Sequence, residues 1–282
     1  MLKVGMISKW HVHAEGYAKT VIHTGKAEIA AVWDDDEKRG AQWAKELNCP
    51  YYSDLDKMLK HVDAVVCDAP TTQHKEVIIK AVRAGKHVFT EKALAPTVAE
   101  CEEIADEIEK SGVTFTISMP QRNQPAVRLA KEMIGRGDFG KISLVRIRNG
   151  HDGVSGGWLP EYWFEEKDAA GGALMDLGCH PMYTAGWLLG RPKRISAFIT
   201  TLFGSKVDEA ATATIEFENG AVCTGETSFV SYNTPGSIEV YGSDATLIAI
   251  GDCVKVYGKA LSPYVGRNGI TPELPPELPI PL

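Results

Sequence analysis

Short apolar runs alternate with amphipathic stretches over the first 118 residues of the chain. The apolar runs are nearly continuous and rich in β-branched residues, which is typical of strands buried on both faces. These strands are predicted at Leu2 to Ile7, Glu28 to Trp33, Ala64 to Cys67, His87 to Phe89 and Thr114 to Ile117. Helices are predicted between them at Ala14 to Thr24, Glu37 to Leu47, Asp54 to Lys60, Thr72 to Ala84 and Thr97 to Lys110. Such repeated strand–helix–strand order predicts a doubly wound parallel sheet of the Rossmann type, an α/β fold.

The pattern changes after Ser118. A helix is predicted from Pro125 to Arg136, a strand from Ile142 to Arg148, and a second helix that ends near Leu189. Beyond Arg194 the alternation is that of strands, predicted at Ile195 to Phe203, Ala211 to Phe217, Ala221 to Phe229, Ser237 to Tyr241, Ala245 to Ile250 and Cys253 to Val256. This order predicts an α+β domain with a large, mostly antiparallel sheet, one face of which is covered by helices.

These patterns divide the chain into two predicted domains. Residues 1–118 form a dinucleotide-binding domain, and residues 119–282 form a domain for substrate binding and oligomerisation. The proline-rich end, Glu273 to Pro279, predicts an extended tail.

Composition narrows the class of protein. The chain has 282 residues, of which 44% are hydrophobic and 24% charged, as in ordinary globular proteins. Its net charge of −7 argues against nucleic-acid and anionic-membrane partners. We expect no transmembrane helix, because the longest apolar runs have the length of strands. The predicted strand at the start of the chain leaves no room for a signal peptide, and six scattered cysteines without a CxxC pair suggest reduced thiols. A cytoplasmic protein is therefore expected.

The junction of the first strand and first helix departs from the G-x-G-x-x-G motif of dinucleotide-binding folds. Ser8, Trp10 and His13 stand at the three glycine positions, and a tryptophan at the middle one should obstruct the pyrophosphate. Two interpretations remain open. Trp10 packs and His11 or His13 caps the helix, or Lys9 and the imidazoles donate to a phosphate or substrate.

Two other strand ends carry residues suited to a dinucleotide. Asp34 follows the second predicted strand, where an acid accepts the ribose hydroxyls of NAD, while Asp36 is expected to cap the next helix. The acidic run 34–36 would repel a 2′-phosphate, which favours NAD over NADP. After the strand ending at Cys67, the loop residues 69–71 are expected near the nicotinamide, and His74 is interpreted as structural.

Glu91 and Lys92 lie at the carboxyl end of a predicted strand, where open α/β sheets bind ligands. A lysine there loses its proton more easily if the pocket desolvates it, although the dipeptide alone favours a solvated loop ion pair. Asp176 and His180 are four residues apart at a helix start and share a face. Alone they indicate a capping acid beside a buried histidine; together with the lysine they suggest an acid–base set.

Three segments in this order and spacing give a specific likeness: Asp63 to His74, Ala84 to Lys92 and Gly171 to His180. The chain resembles the glucose–fructose oxidoreductase, inositol dehydrogenase and rhizopine-catabolism (Gfo/Idh/MocA) family. The resemblance implies that Glu91 and Lys92 form the family's Glu-Lys-Pro motif, with Lys92 at the substrate. It further implies proton transfer by Asp176 and His180, Asp34 on the adenosine ribose, and a homodimer or homotetramer packed through the C-terminal sheet.

The chain also departs from the family pattern. Ala93 replaces the usual proline, and Tyr183 stands where many members have an aspartate. Family members commonly continue past this chain's end with a further helix, so a truncated form is expected.

The sequence thus predicts an NAD(P)-dependent oxidoreductase acting on a secondary alcohol of a sugar, cyclitol or related polyol. Lys92, His180 and Asp176 are the predicted catalytic residues, with His180 or Lys92 as the base. Cofactor contacts are predicted for Ser8, Trp10, His11, Asp34, Ala69, Pro70, Thr71, His74, Glu91 and Lys92. Substrate contacts are predicted for Arg122, His151, Trp163 and Tyr183, residues that are equally compatible with packing.

Two alternatives belong to other classes. In the first, Trp10 fills the pyrophosphate site and the fold serves as a ligand-binding or regulatory protein without a dinucleotide. In the second, a metal is held by residues from His11, His13, Glu91, Asp176 and His180. Their spacings match no zinc signature, so we expect no metal.

Overall fold

The computed structural model describes residues 1–259, and the proline-rich end at 273–279 lies outside them. The chain forms two compact units. One is Met1–Ser118 with Lys167–Ala170, and the other is Met119–Glu166 with the chain from Gly171 onward. Within residues 1–259 no helix combines the length and apolar character needed to cross a membrane. The six cysteines all lie in this range and form no disulfide there.

The first unit is built on a six-stranded parallel sheet. Its strands are β1 (Leu2–Ile7), β2 (Ala27–Trp33), β3 (Tyr51–Tyr52), β4 (Ala64–Cys67), β5 (His87–Thr90) and β6 (Phe115–Ile117). Its helices are α1 (Ala14–His23), α2 (Glu37–Glu46), α3 (Leu55–Leu59), α4 (His74–Arg83) and α5 (Val98–Ser111). The strand order β3-β2-β1-β4-β5-β6 is that of a Rossmann fold and places the switch point between β1 and β4.

Local chemistry explains where these helices begin and end. Asp36, Asp54 and Thr97 each accept a backbone N–H three residues later, which caps α2, α3 and α5. Gly112 ends α5 with a φ of +68°, in the left-handed region that favours glycine. Two apolar clusters, one on each face of the sheet, contain Met6 and Ile7, neighbours whose side chains point to opposite faces.

The second unit is a seven-stranded sheet with helices on one face. Its strands are β7 (Ile142–Gly150), β8 (Pro192–Thr200), β9 (Ala210–Phe217), β10 (Val222–Ser228), β11 (Ser237–Gly242), β12 (Ala245–Ile250) and β13 (Cys253–Gly258). Its helices are α6 (Pro125–Arg136), α8 (Ala173–Asp176) and α9 (Cys179–Leu189). The short α7 (Glu166–Ala169) belongs to the first unit from Lys167 onward. The order is β13-β12-β11-β7-β10-β9-β8, antiparallel except between β7 and β10. The predicted α/β architecture with its mostly antiparallel second sheet is confirmed.

The faces of this second sheet differ. α6 and α9 pack on one face over a core that includes Phe139, Ile147 and Phe217. The opposite face carries ion pairs of Arg146 and Arg148 with Glu226. The edge strand β8 is exposed along its whole length.

Candidate functional site

The loop after β1 keeps the backbone turn of a dinucleotide-binding fold without its glycine. Ser8 has a φ of +64° and is fully buried. This left-handed conformation is the one that the first glycine of the motif usually supplies. The Ser8 amide donates to the Trp33 carbonyl at 2.7 Å, and the hydroxyl accepts from the Trp10 amide at 3.2 Å. The hydroxyl thus stabilises a turn that a side chain would otherwise disfavour.

Acceptors within the protein already bind the backbone N–H groups of this loop. Lys9 donates to Asp34 at 2.8 Å, and His11 donates to the Asp68 carbonyl at 3.0 Å. His13 donates to Nδ1 of His11 at 3.2 Å. A glycine loop would instead present such amides to a pyrophosphate. The indole of Trp10 is buried as well, being 3% exposed.

Asp34 lies at the end of β2, as predicted, and its carboxylate is already held by several donors. Arg39 forks onto both oxygens, with Nε at 2.9 and 3.1 Å. The amides of Lys9 and Asp36 also donate to this carboxylate. Arg39 therefore lies beside Asp34, the predicted ribose acceptor. The sequence analysis did not consider it, although its position five residues after Asp34, on α2, was the available signal.

Glu91 directly follows β5 and is a buried anion surrounded by donors. Its Oε1 lies 2.9 Å from Nδ1 of His13 and accepts the hydroxyl of Tyr17. Its Oε2 accepts the Lys92 amide at 2.9 Å and lies 3.9 Å from Nε2 of His11. Burial opposes ionisation, but the His13 hydrogen bond and the neighbouring His11 and Lys92 hold the pKa of Glu91 well below its ordinary value. Glu91 is therefore ionised at neutral pH.

The neighbours of Glu91 correct two expectations. His13 precedes α1, yet its side chain makes no capping hydrogen bond and is directed to Glu91 instead. Lys92 is only 5% exposed and Glu91 is fully buried, so the pair is not a solvated loop ion pair. Burial and the Glu91 charge raise the pKa of Tyr17 well above its ordinary value, which keeps its proton available to Glu91.

Asp68 is a second buried acid, and sequence reasoning passed over it. It follows β4 and is fully buried, and its carboxylate has no hydrogen-bond partner among residues 1–259. Burial and the charge of Glu91 raise the pKa of Asp68 well above its ordinary value. The available signal was an acid directly after an apolar strand, at the switch point of the sheet.

His74 connects the loops after β4 and β5. Its Nε2 lies 3.0 Å from the Ala69 carbonyl, and its Nδ1 lies 2.9 Å from the Ala93 carbonyl. The residue is 1% exposed, and burial lowers its pKa, so the ring is neutral and donates to one of these carbonyls. His74 therefore positions the segment that follows Lys92, in which the Lys92–Ala93 peptide bond is cis. Ala69, Pro70 and Thr71 are buried in the other loop.

In the second unit, His180 lies on α9 and is held by Tyr183 one turn later. The phenol oxygen lies 2.7 Å from Nδ1 of His180 and accepts the Gln121 amide at 3.1 Å. When Nδ1 carries the proton of the neutral imidazole, it donates to the phenol oxygen and leaves the lone pair of Nε2 to accept a proton. The structure therefore gives Tyr183 an orienting contact, which i,i+3 spacing could have indicated.

Asp176 lies on α8, where Nε1 of the buried Trp163 donates to it at 3.4 Å. Asp208, which sequence reasoning missed, accepts the amides of Gly172 and Leu174 at 2.9 and 2.7 Å. A Cβ on Gly172 would lie 2.0 Å from the Asp208 carbonyl, so only glycine fits this approach. These contacts fix the start of the helical segment that carries Asp176.

The other two predicted substrate residues make packing contacts within this unit. His151 stacks on Phe229 with ring centroids 5.2 Å apart, and its Nδ1 accepts the Gly153 amide. The guanidinium of Arg122 lies 4.6 Å from the ring centroid of Trp187.

Two family models match most of the chain. Residues 4–119 match the model described as "Oxidoreductase family, NAD-binding Rossmann fold". Residues 127–248 match the "GFO/IDH/MocA C-terminal domain" model.

Individual relatives and structures agree with these models. The chain is 29% identical over 217 residues to D-xylose 1-dehydrogenase (NADP(+)) 2 of Haloferax volcanii, covering 74% of this chain and 64% of the relative. It is 29% identical over 238 residues to scyllo-inositol 2-dehydrogenase (NAD(+)) of Bacillus subtilis, covering 78% and 66%. The chain thus spans slightly less than two thirds of these relatives.

A solved structure shares the fold. Levoglucosan dehydrogenase in complex with NADH superposes with a TM-score of 0.83 at 23% identity, covering 93% of this chain and 77% of that one. With both halves matched to models of one family, the chain belongs to the Gfo/Idh/MocA family of oxidoreductases, whose N-terminal domain is an NAD-binding Rossmann fold.

Proposed function

We propose that the protein is an NAD-dependent oxidoreductase that acts on a secondary alcohol of a sugar, cyclitol or related polyol. The observation that carries this proposal is the buried Glu91–Lys92 pair at the carboxyl end of β5 in a Rossmann sheet. The substrate class is supported by the relatives, which are named as xylose and scyllo-inositol dehydrogenases.

Several residues of the first unit fit a dinucleotide. Ser8 retains the left-handed turn after β1, and Asp34 offers a carboxylate for the ribose. Residues 69–71 belong to the loop after β4, which we assign to the nicotinamide side of the cofactor. The loop amides donate elsewhere, and the ammonium of Lys9 already pairs with Glu15 and Glu46 at 3.0 and 2.9 Å. We therefore assign the diphosphate contact to the imidazoles of His11 and His13. Trp10 and Glu91 are the remaining proposed contacts to the cofactor. His74 contributes by positioning the loops after β4 and β5. When bound, the nicotinamide supplies the hydride acceptor.

Each of the three predicted catalytic residues has a proposed role at the alcohol. We assign proton removal to Nε2 of His180, with Tyr183 orienting the imidazole through Nδ1. The buried ammonium of Lys92 stabilises the negative charge that develops on the alcohol oxygen. Asp176 supports the imidazole electrostatically, and Trp163, His151 and Arg122 contribute to substrate binding.

A substrate panel tests this function. The protein is mixed with NAD⁺ and a set of aldoses, inositols and related polyols, and the absorbance of reduced nicotinamide is followed. We expect turnover with at least one member of the panel. No turnover with any of them would contradict the proposed activity.

Cofactor preference gives the first mutational prediction. Replacing Asp34 by serine will weaken NADH binding roughly ten- to a hundredfold, because hydrogen bonds to a charged group contribute about 1.5–3 kcal/mol. NADPH binding will be unchanged or tighter, since Arg39 loses its main acceptor and can meet a 2′-phosphate. The measurement is a fluorescence titration with each cofactor.

The matched control is Asp36→Ser, which removes one charge nearby but keeps a residue able to cap α2. It should bind both cofactors as the wild type does. Equal NADH affinity in the Asp34 variant and the wild type would rule out Asp34 as the ribose acceptor.

Assembly gives a second prediction. We propose a homodimer or homotetramer through the second unit's sheet, where β8 exposes Ile195, Phe198 and Ile199 by 61–83%. Phe198→Asp places a charge on the proposed contact. Light scattering of this variant should therefore give the molar mass of a monomer. Val98→Asp, at a 73% exposed position of α5 in the first unit, is the control and should assemble like the wild type. A wild-type mass of one chain would contradict the assembly.

The amide contacts of the first loop favour one competing function. Because the amides of Lys9, His11 and His13 already have acceptors in the protein, the fold could bind a ligand other than a dinucleotide. Titrating protein fluorescence with NADH separates the two functions. Quenching or energy transfer that saturates supports the oxidoreductase, and no change at millimolar NADH supports the ligand-binding protein.

A further inference from the structure

Three potential metal ligands of the first unit meet at the start of α1. One ligand atom from each of His11, His13 and Glu91 lies within 4.8 Å of the other two. Two of these residues come from the loop after β1 and the third from the end of β5, which lies two strands away across β4. Spacing along the chain could not reveal this set, because 78 residues separate His13 from Glu91.

The separations suit a common metal ion. Bonds of about 2.0–2.2 Å to nitrogen and oxygen place neighbouring ligands of one ion roughly 3–3.5 Å apart. Oε1 of Glu91 lies 2.9 Å from Nδ1 of His13, and Oε2 lies 3.9 Å from Nε2 of His11. All three ligand atoms lie within 4.8 Å of one another, so the longest separation must shorten by up to about 1.5 Å for the three to meet on one ion.

Asp68 is an independent sign that this place accommodates positive charge. Its fully buried carboxylate has no hydrogen-bond donor within residues 1–259 and is close enough to repel Glu91. Buried carboxylates are ordinarily paired or bound to a metal, because an uncompensated charge is costly. A divalent ion beside Glu91 would offset both acids.

We propose that His11, His13 and Glu91 bind a divalent transition-metal ion. Two imidazoles and a carboxylate are a ligand set of zinc and non-haem iron sites, and three protein ligands leave further positions for water or a substrate oxygen. His13 is suited to this role because its side chain is 53% exposed, so its second nitrogen can donate to water. At His11 the ion takes the place of the Nε2 proton, which moves to Nδ1, and the 3.2 Å contact with the His13 amide is given up.

Cobalt(II) titration of the full chain, after removal of bound metal with a chelator, tests this site without cofactor or substrate. Its outcome is therefore independent of the proposed oxidoreductase function. We expect about one cobalt per chain, with visible ligand-field bands and without thiolate charge-transfer bands. His13→Ala and Glu91→Gln should each weaken binding at least tenfold.

His23→Ala is the matched control, because it removes an exposed imidazole in the last turn of the same helix. It should bind cobalt like the wild type. The exposed position of His13 keeps the test informative even if the buried Glu91 variant fails to fold. The site is overturned if the wild type binds no cobalt, if His13→Ala binds as tightly as His23→Ala, or if thiolate bands show cysteine ligation.

Discussion

Lys92→Met will lower kcat by about 10²- to 10³-fold while the protein remains folded. Methionine preserves the length and apolar stem of the side chain but removes the ammonium, so the alkoxide loses its stabilising charge. The residue is 5% exposed, and a buried cation acts far more strongly on a nearby charge than a solvated one. The measurement is steady-state turnover with the active polyol, together with the melting temperature.

Lys57→Met is the control for this prediction. Lys57 lies on α3 of the same unit with a side chain that is 71% exposed. The control should turn over at the wild-type rate. A Lys92 variant that is equally active would remove Lys92 from the mechanism.

His180→Ala will lower kcat by roughly 10²- to 10⁴-fold, the range typical for loss of a general base. Tyr183→Phe keeps the imidazole and removes the hydrogen bonds of the phenol with Nδ1 of His180 and with the Gln121 amide. Its kcat should therefore fall less, by about tenfold, with little change in KM. A Tyr183 variant as impaired as the His180 variant would make Tyr183, rather than the imidazole, the main proton-transfer group.

The double variant Lys92→Met/His180→Ala shows whether Lys92 and His180 act on the same reaction step. Groups that act on the same step have strongly non-additive effects, so the double variant should be little slower than the worse single variant. Losses that multiply would assign Lys92 and His180 to separate steps.

The regular elements were predictable because hydrophobic periodicity and helix caps determine them locally. β1 matches its predicted bounds, and β4 and α6 do so as well. β3 was missed because it is only two residues long and gives no periodic signal. β8 begins at Pro192 rather than Ile195, because an edge strand exposed on both faces has no apolar alternation to mark its start.

The site was predictable where residue type and strand position suffice. Asp34 and the Glu91–Lys92 pair lie at strand ends, as predicted. The contacts among Tyr17, His13 and Glu91 depend on how α1 packs beside β5, which periodicity does not specify. The same limit explains why a rule on Cys and His spacing did not bring His11, His13 and Glu91 together. The contact of Tyr183 with His180 lies within α9, so its i,i+3 spacing could have indicated it.

Transfer of deuterium tests the proposed chemistry most directly. The active polyol, labelled at the carbon that bears the reacting hydroxyl, is incubated with the protein and NAD⁺, and C4 of the recovered nicotinamide is examined by mass spectrometry and NMR. We predict one deuterium per reduced nicotinamide in the wild type and none above background when Lys92→Met/His180→Ala replaces it. An unlabelled nicotinamide in the presence of product would contradict hydride transfer and with it the proposed function.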